Sequence, residues 1–165
     1  MVNSKRRGTI LGEGAGAILC AREGRITIER IHPGGFFTRR AQAAEILTAI
    51  LRHLGHSEIN LVISSANGTF VDQAERAALE EILPDVLVYT GKPALGESVG
   101  AAALWQVILA AQALQQRELP PVLHADSAVS LRLPHARTEI PQARQAIVLG
   151  CGLNQQAAGL RLAIR

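Results

Sequence analysis

Gly91-Lys92-Pro93-Ala94-Leu95-Gly96-Glu97-Ser98-Val99-Gly100-Ala101-Ala102 joins a short apolar run, residues 86–89, to a charge-free stretch, residues 98–116. The run from Val86 to Tyr89 has the length and β-branched content of a buried strand. Gly91, Pro93 and Gly96 then dictate a loop. The stretch after it contains no Asp, Glu, Lys or Arg, and its length approaches the ~18 residues of a membrane-spanning helix. Its four glutamines, its many alanines and the lack of an aromatic belt point instead to a helix buried inside protein.

Working outward, residues 59–63 read as a strand followed by a Ser-Ser-Ala-Asn-Gly-Thr loop. Asp72 and Glu75 form an Asp-x-x-Glu capping pair for a helix whose buried face is Ala78, Leu79, Ile82 and Leu83. Before them, Leu47, Ile50, Leu51 and Leu54 form one stripe of a helix that starts near Thr38 and ends at Gly55. Residues 9–21 and 25–31 predict a hairpin turning at Glu23-Gly24, with His32-Pro33-Gly34-Gly35 breaking the pattern. Gly12, Gly14 and Gly16 alternate along the first of these strands, which suits close backbone packing rather than a phosphate loop. Downstream, residues 120–141 are irregular, and strands at 146–149 and 158–164 flank a Gly-Cys-Gly turn. The order β-β-α-β-α-β-α-β-β predicts one α/β domain, residues 1–165, with a sheet covered on both faces.

The bulk composition narrows the function classes. The chain has 165 residues, 48% of them hydrophobic and 19% charged, with a net charge of +3. That is enough to bury a core, and the composition is that of a globular chain. The basic balance comes without a helix-turn-helix, zinc or aromatic-basic pattern. Three Phe, one Tyr and one Trp are too few for base stacking, so nucleic acid is not an expected partner. Cys20 and Cys151 have neither pairing nor metal spacing, which suits reduced thiols in the cytoplasm, with Cys20 inert on a buried strand. Residues 1–7 lack the apolar run of a signal peptide. His53 and His56 fall at a helix end, where surface capping suits them better than metal binding. No cofactor or metal motif is present.

Four patterns, in this order, resemble the C-terminal half of β-ketoacyl-[acyl-carrier-protein] synthases. Arg7-Gly8-Thr9-Ile10-Leu11-Gly12-Glu13-Gly14-Ala15-Gly16-Ala17 is similar to the family's Gly-Glu-Gly-Ala-Gly strand. Residues 59–75 end in Asp72-Gln73-Ala74-Glu75, as the family's Asp-x-x-Glu does. The opening stretch resembles Lys-x-x-x-Gly-His-x-x-Gly-Ala-Ala, and Gly150-Cys151-Gly152-Leu153-Asn154 resembles the Phe-Gly-Gly-x-Asn turn near the chain end. The resemblance implies the C-terminal half of a thiolase-like fold, a mixed five-stranded sheet with helices on both faces.

It also implies a degenerate site. Active members use a Cys nucleophile from the N-terminal half, which this sequence does not contain, and two histidines. Ser64 falls on the first histidine position and Glu97 on the second; none of the five histidines (32, 53, 56, 124, 135) falls on either. Imidazole N–H groups there stabilise the enolate formed as malonyl loses carbon dioxide. Ser64 retains one donor, whereas an ionised Glu97 puts negative charge where negative charge must develop. Lys92 matches the family lysine, and an ion pair with Glu97 is expected across the loop. Glu13 matches the motif glutamate and reads as a buried acid holding a loop. Cys151, in an exposed-turn setting, falls with Gly152 and Asn154 where the family has a gating loop beside the substrate.

The helix at 98–116 matches one in the family's central layer, where two halves meet, and an apolar helix needs protein on every side. A partner is therefore expected: a second copy, a ketosynthase, or a separate chain carrying the N-terminal half. Arg39, Arg40 and Arg52 offer a basic face to an acidic acyl carrier protein, although a solvated face explains them as well. The resulting expectation is a catalytically silent, chain-length-factor-like subunit of fatty-acid or polyketide elongation. The alternative is half of a split synthase or decarboxylase, active only with its other half, or a remnant without activity.

Overall fold

Leu47, Ile50, Leu51 and Leu54 are completely buried on α1 (Arg40–Leu54), as their spacing predicts. Gln42 caps its start, its Oε1 accepting from the Thr38 and Arg39 N–H groups at 3.0 Å. The computed structural model describes residues 9–123, 133–152 and 154–165; Arg7, Gly8, His124 and Leu153, which the sequence reading used, lie outside that set. The other elements are β1 (Ile26–Phe36), β2 (Ile59–Ile63), α2 (Phe70–Ile82), β3 (Leu87–Tyr89), α3 (Lys92–Leu95), α4 (Ala102–Gln116), β4 (Glu118–Leu119), β5 (Thr138–Glu139), β6 (Gln145–Cys151) and β7 (Gln156–Ile164).

The main sheet is five-stranded and mixed, in the order β1-β7-β6-β2-β3. β2 runs parallel to β3 and β6, while β7 is antiparallel to both β6 and β1. Successive residues on β6 and β7 face opposite sides. A Cβ on Gly159 would touch Ile50 and Leu54 of α1, whereas one on Gly150 would meet Ala103 of α4. Helices therefore cover both faces, as expected. β4 and β5 add a separate two-stranded ribbon, with β5 inside the stretch read as irregular and β4 just before it.

The N-terminal hairpin does not form. Residues 9–25 contain no strand, and a single parallel bridge joins Leu11 to Glu97. Helix contact holds this segment instead of a ladder. A Cβ on Gly12 would lie 2.3 Å from the Leu95 carbonyl oxygen, and one on Gly14 would lie 2.6 Å from the Trp105 ring. Close packing thus explains the glycines, but the strand pattern finds no neighbour. Two expectations fall with it: Cys20 is exposed rather than on a buried strand, and Glu13 is exposed rather than buried. β1 in turn continues through His32-Pro33-Gly34-Gly35, where the sequence suggested a break. Register shifts against β7 absorb the proline, and Gly34 takes φ +82° where a Cβ would lie 1.5 Å from the Ala157 carbonyl oxygen.

The charge-free helix starts at Ala102, four residues later than its lack of charge suggested. Ala102, Gln106, Ala110, Ala113 and Leu114 are buried, while Leu104, Trp105, Val107 and Ile108 are only partly covered. Among the described residues no helix is long and apolar enough to cross a membrane.

Candidate functional site

The carboxyl ends of β2, β3 and β6, which run parallel, meet at one place, the usual location of a site in such sheets. Ser64 and Ser65 follow β2, Thr90 and Lys92 follow β3, and Cys151 ends β6. The Ser64 N–H donates to the Tyr89 carbonyl at 2.8 Å and locks the first two ends together. From α4, Gln106 Nε2 reaches the Ser64 carbonyl at 2.8 Å and the Leu149 carbonyl at 3.0 Å. One buried amide therefore ties α4 to β2 and β6.

Two carboxylates organise the polar side chains. Glu75, on the second turn of α2, is wholly buried and accepts from both the Ser64 and Ser65 hydroxyls and, at 3.0 Å, from the Ser65 N–H. Burial pushes its carboxyl above the ordinary carboxylate value; the serine donors and the Lys92 charge oppose that shift without cancelling it. Glu97 accepts from Lys92 Nζ at 2.5 Å and from Asn67 Nδ2 at 3.0 Å, and both members of the ion pair are nearly inaccessible. Its backbone is pinned too: its N–H donates to Ile10 at 2.7 Å and its carbonyl accepts from Gly12 at 2.9 Å.

The capping role expected of Asp72 and Glu75 divides. Thr69 is the N-cap of α2, accepting from the Val71 N–H, and Asp72 accepts from the Asn67 and Gly68 N–H groups. Glu75 caps nothing, because its side chain turns inward to the serines. Asp72 is also raised above its ordinary value, burial outweighing those backbone donors.

Lys92 and Glu97 therefore meet as the sequence suggested, and Cys151 joins the cluster, its thiol feeling the charges of Glu75, Lys92 and Glu97. The exposed-turn setting expected for Cys151 is incorrect. It is 1% exposed at the end of β6, and burial, reinforced by Glu75, pushes its thiol up to about 12. A thiol so held is not a nucleophile at neutral pH. Gly152 and Asn154 line a small recess of about 30 Å³ with Glu97 and Val99. The Ser64 hydroxyl is fully engaged: it donates to Glu75 and accepts from the Ala66 N–H at 3.0 Å.

Ser65, Asn67 and Gln106 were not singled out from the sequence. The signal for Gln106 was present, a glutamine on the apolar face of a charge-free helix. Nothing local distinguished Asn67, whose partner is 30 residues away. Of the basic residues, Arg52 pairs with Glu81 and Arg40 sits 5.2 Å over the Phe70 ring, while Arg39 is exposed. His53 packs edge-on against His32, ring centroids 4.9 Å apart. Among the described residues, no group of three or more His, Cys, Asp or Glu could hold a metal ion.

Residues 27–126 match the family model described as beta-ketoacyl synthase, C-terminal domain. The chain belongs to this family. No curated protein matches it. Among solved structures it is similar to the ishigamide ketosynthase/chain length factor, with 21% identity and a TM-score of 0.63 over 85% of this chain and 36% of that one. It is also similar to the KS7 ketosynthase domain of OzmH, from oxazolomycin biosynthesis in Streptomyces albus JA3453, with 16% identity and a TM-score of 0.65 over 85% and 30%. A third similar structure is ketosynthase twelve of the bacillaene polyketide synthase of Bacillus amyloliquefaciens, with 19% identity and a TM-score of 0.64 over 85% and 29%. At such identities the likeness is one of fold, and the chain spans 29% to 36% of these three proteins' lengths.

Proposed function

We propose that the chain is a catalytically silent, ketosynthase-like subunit that partners a β-ketoacyl synthase in polyketide or fatty-acid elongation, in the manner of a chain length factor. The observation that carries this reading is the state of Glu97. Where the family resemblance calls for an imidazole donor, a buried carboxylate accepts from Lys92 and Asn67. A carboxylate has no proton to give an enolate oxygen, and its charge opposes the one that decarboxylation develops. Ser64, at the other histidine position, spends its hydroxyl on Glu75. The raised thiol of Cys151 supplies no substitute nucleophile. In this reading Lys92, Ser64 and Glu97 keep a catalytic site's framework without its chemistry, and Gly152 and Asn154, beside the buried Cys151, line the side next to an acyl chain.

The test is co-expression with a ketosynthase and a malonyl-loaded acyl carrier protein. The expected outcome is no decarboxylation by this chain alone and a changed product length in its presence. Decarboxylation that appears with an N-terminal-half chain, and is lost in Lys92→Ala or Glu97→Ala, would replace this reading with that of a split enzyme.

A further inference from the structure

His32 lies within β1, partly buried and paired with Gly159 of β7. Beyond it the ladder slips: Gly35 is the next residue in register, opposite Ala157, so Pro33 and Gly34 together oppose Ala158. Two residues against one make a β-bulge, and the extra residue is left out of the ladder. Pro33 has no N–H, and the Gly34 N–H donates to His32 Nδ1 at 2.9 Å. A ring nitrogen that accepts carries no proton, so this bond requires a neutral imidazole with its hydrogen on Nε2. A proton on Nδ1 and the Gly34 bond exclude one another.

The neighbours of the ring offer a cation no counter-charge. From α1, His53 packs edge-on with ring centroids 4.9 Å apart. Arg30 of β1 donates to the His53 carbonyl at 3.2 Å, and Arg161 of β7, its ladder partner, donates to the Leu54 carbonyl at 3.1 Å. Of the carboxylates, Glu29 is taken by Arg161 and Glu81 by Arg52 of α1. Glu45 precedes His53 by two turns of α1, about 12 Å along the axis.

The bulge in turn supports the connection from β6 to β7. Gly34 packs so tightly that a Cβ there would lie 1.5 Å from the Ala157 carbonyl oxygen. The Phe37 N–H donates to the Gln155 carbonyl at 3.0 Å. Gln155 takes φ +60°, a conformation that persists in an L residue only where its surroundings hold it. Its N–H donates to the Gly152 carbonyl at 3.2 Å, and Gly152 and Asn154 line the recess beside Glu97. Contacts therefore run without a break from His32 Nδ1 to that recess.

We propose that His32 is a pH-sensitive latch: neutral, it holds the Pro33-Gly34 bulge under Gln155, and protonated, it releases Gly34 and loosens Gln155 and Gly152 beside Glu97. Release takes up one proton, so its equilibrium constant rises by at most about tenfold per pH unit as pH falls. The latch does not rest on the functional reading above, since it concerns β1 and β7 whatever the recess holds.

The test is proton–nitrogen NMR of the full chain from about pH 8 to about pH 5, the range in which histidine changes charge. The His32 ring nitrogens and the Gly34, Phe37 and Gln155 amides are expected to shift together with one midpoint. His32→Asn keeps an acceptor for the N–H two residues on, as Asx turns do, and cannot titrate. Its three amides are expected to hold their high-pH positions throughout. His32→Phe keeps a ring against His53 without an acceptor and is expected to show the low-pH positions at every pH. His53→Phe is expected to leave the response intact. A Gly34 amide that ignores the His32 ring overturns the latch, as does a His32→Asn variant that responds like the wild type. Loss of the response in His53→Phe overturns it too, because the proton would then belong to His53. Movement of Gly34 with Phe37 and Gln155 fixed overturns the link to the recess.

Discussion

Replacing Lys92 with methionine keeps most of its side-chain volume and removes the cation that faces Glu97 at 2.5 Å. Glu97 is 5% exposed, so water cannot take over from the lost ammonium. Breaking a buried pair by deleting one partner costs about 3–5 kcal/mol, because the other charge stays buried and uncompensated. Asn67 still donates to Glu97 at 3.0 Å, which places this site near the lower end of that range. A second contribution acts in the same direction: Lys92 also favours the charged forms of Glu75 and Asp72, and both lose that support. The expected loss is about 3–4 kcal/mol, which for a chain of this size lowers the melting temperature by roughly 6–16 °C. Glu97→Gln in the Lys92→Met background removes the stranded charge and is expected to recover most of the loss, since paired apolar or neutral replacement of a buried ion pair is often nearly neutral. Urea denaturation of the wild type, both single variants and the double variant closes the cycle. A Lys92→Met loss below about 1 kcal/mol, or a double variant as unstable as the sum of the singles, would refute the claim that the pair is buried and mutually dependent.

Three further outcomes follow from the same site. Burial holds the Glu75 carboxyl above its ordinary value of 4.5, so its contribution to stability is full below that value and is lost as pH rises through the folded-state value. Asp72, raised for the same reason, adds a slope of the same sign. Glu75→Gln is therefore expected to flatten the fall of urea stability as pH rises above the ordinary value of 4.5 by up to ~1.4 kcal/mol per pH unit; an unaltered slope would assign the dependence elsewhere. With a thiol reagent at neutral pH, the exposed Cys20 is expected to react at once and Cys151 only on unfolding, because Cys151 is buried and its thiol lies at about 12. Two fast thiols in the native chain would contradict that burial. Gln106→Leu strands the Ser64 and Leu149 carbonyls and is expected to cost about 2 kcal/mol, with Ser64 and Leu149 amide exchange accelerated. No change in exchange at those strand ends would show that this amide does not hold α4 to the sheet.

Much of this was legible in the chain itself, for local reasons. The stripe from Leu47 to Leu54, the apolar runs of β2 and β6 and the absence of charge in α4 are periodicities that the backbone converts directly into elements. Lys92 and Glu97 are five residues apart, and although the stretch read as a loop is the single turn of α3 between Gly91 and Gly96, their closeness in sequence let their meeting be anticipated. Matters that depended on distant neighbours could not. Residues 9–21 alternate like a strand, yet only the tertiary arrangement decides whether a partner strand lies alongside; here α4 does, and its Trp105 fills the space above Gly14. Glycines around Cys151 read as an open turn, but folding leaves it 1% exposed at the end of β6, where it feels the charges of Glu75, Lys92 and Glu97. Glu75 looked like a helix cap until folding carried Ser64 and Ser65 onto it. The periodic pattern of the sequence thus determined which segments become helix and sheet. The three-dimensional packing alone decided which carboxylates are buried, which donors reach them and which apolar surface is left uncovered, because those depend on contacts between residues far apart in the chain.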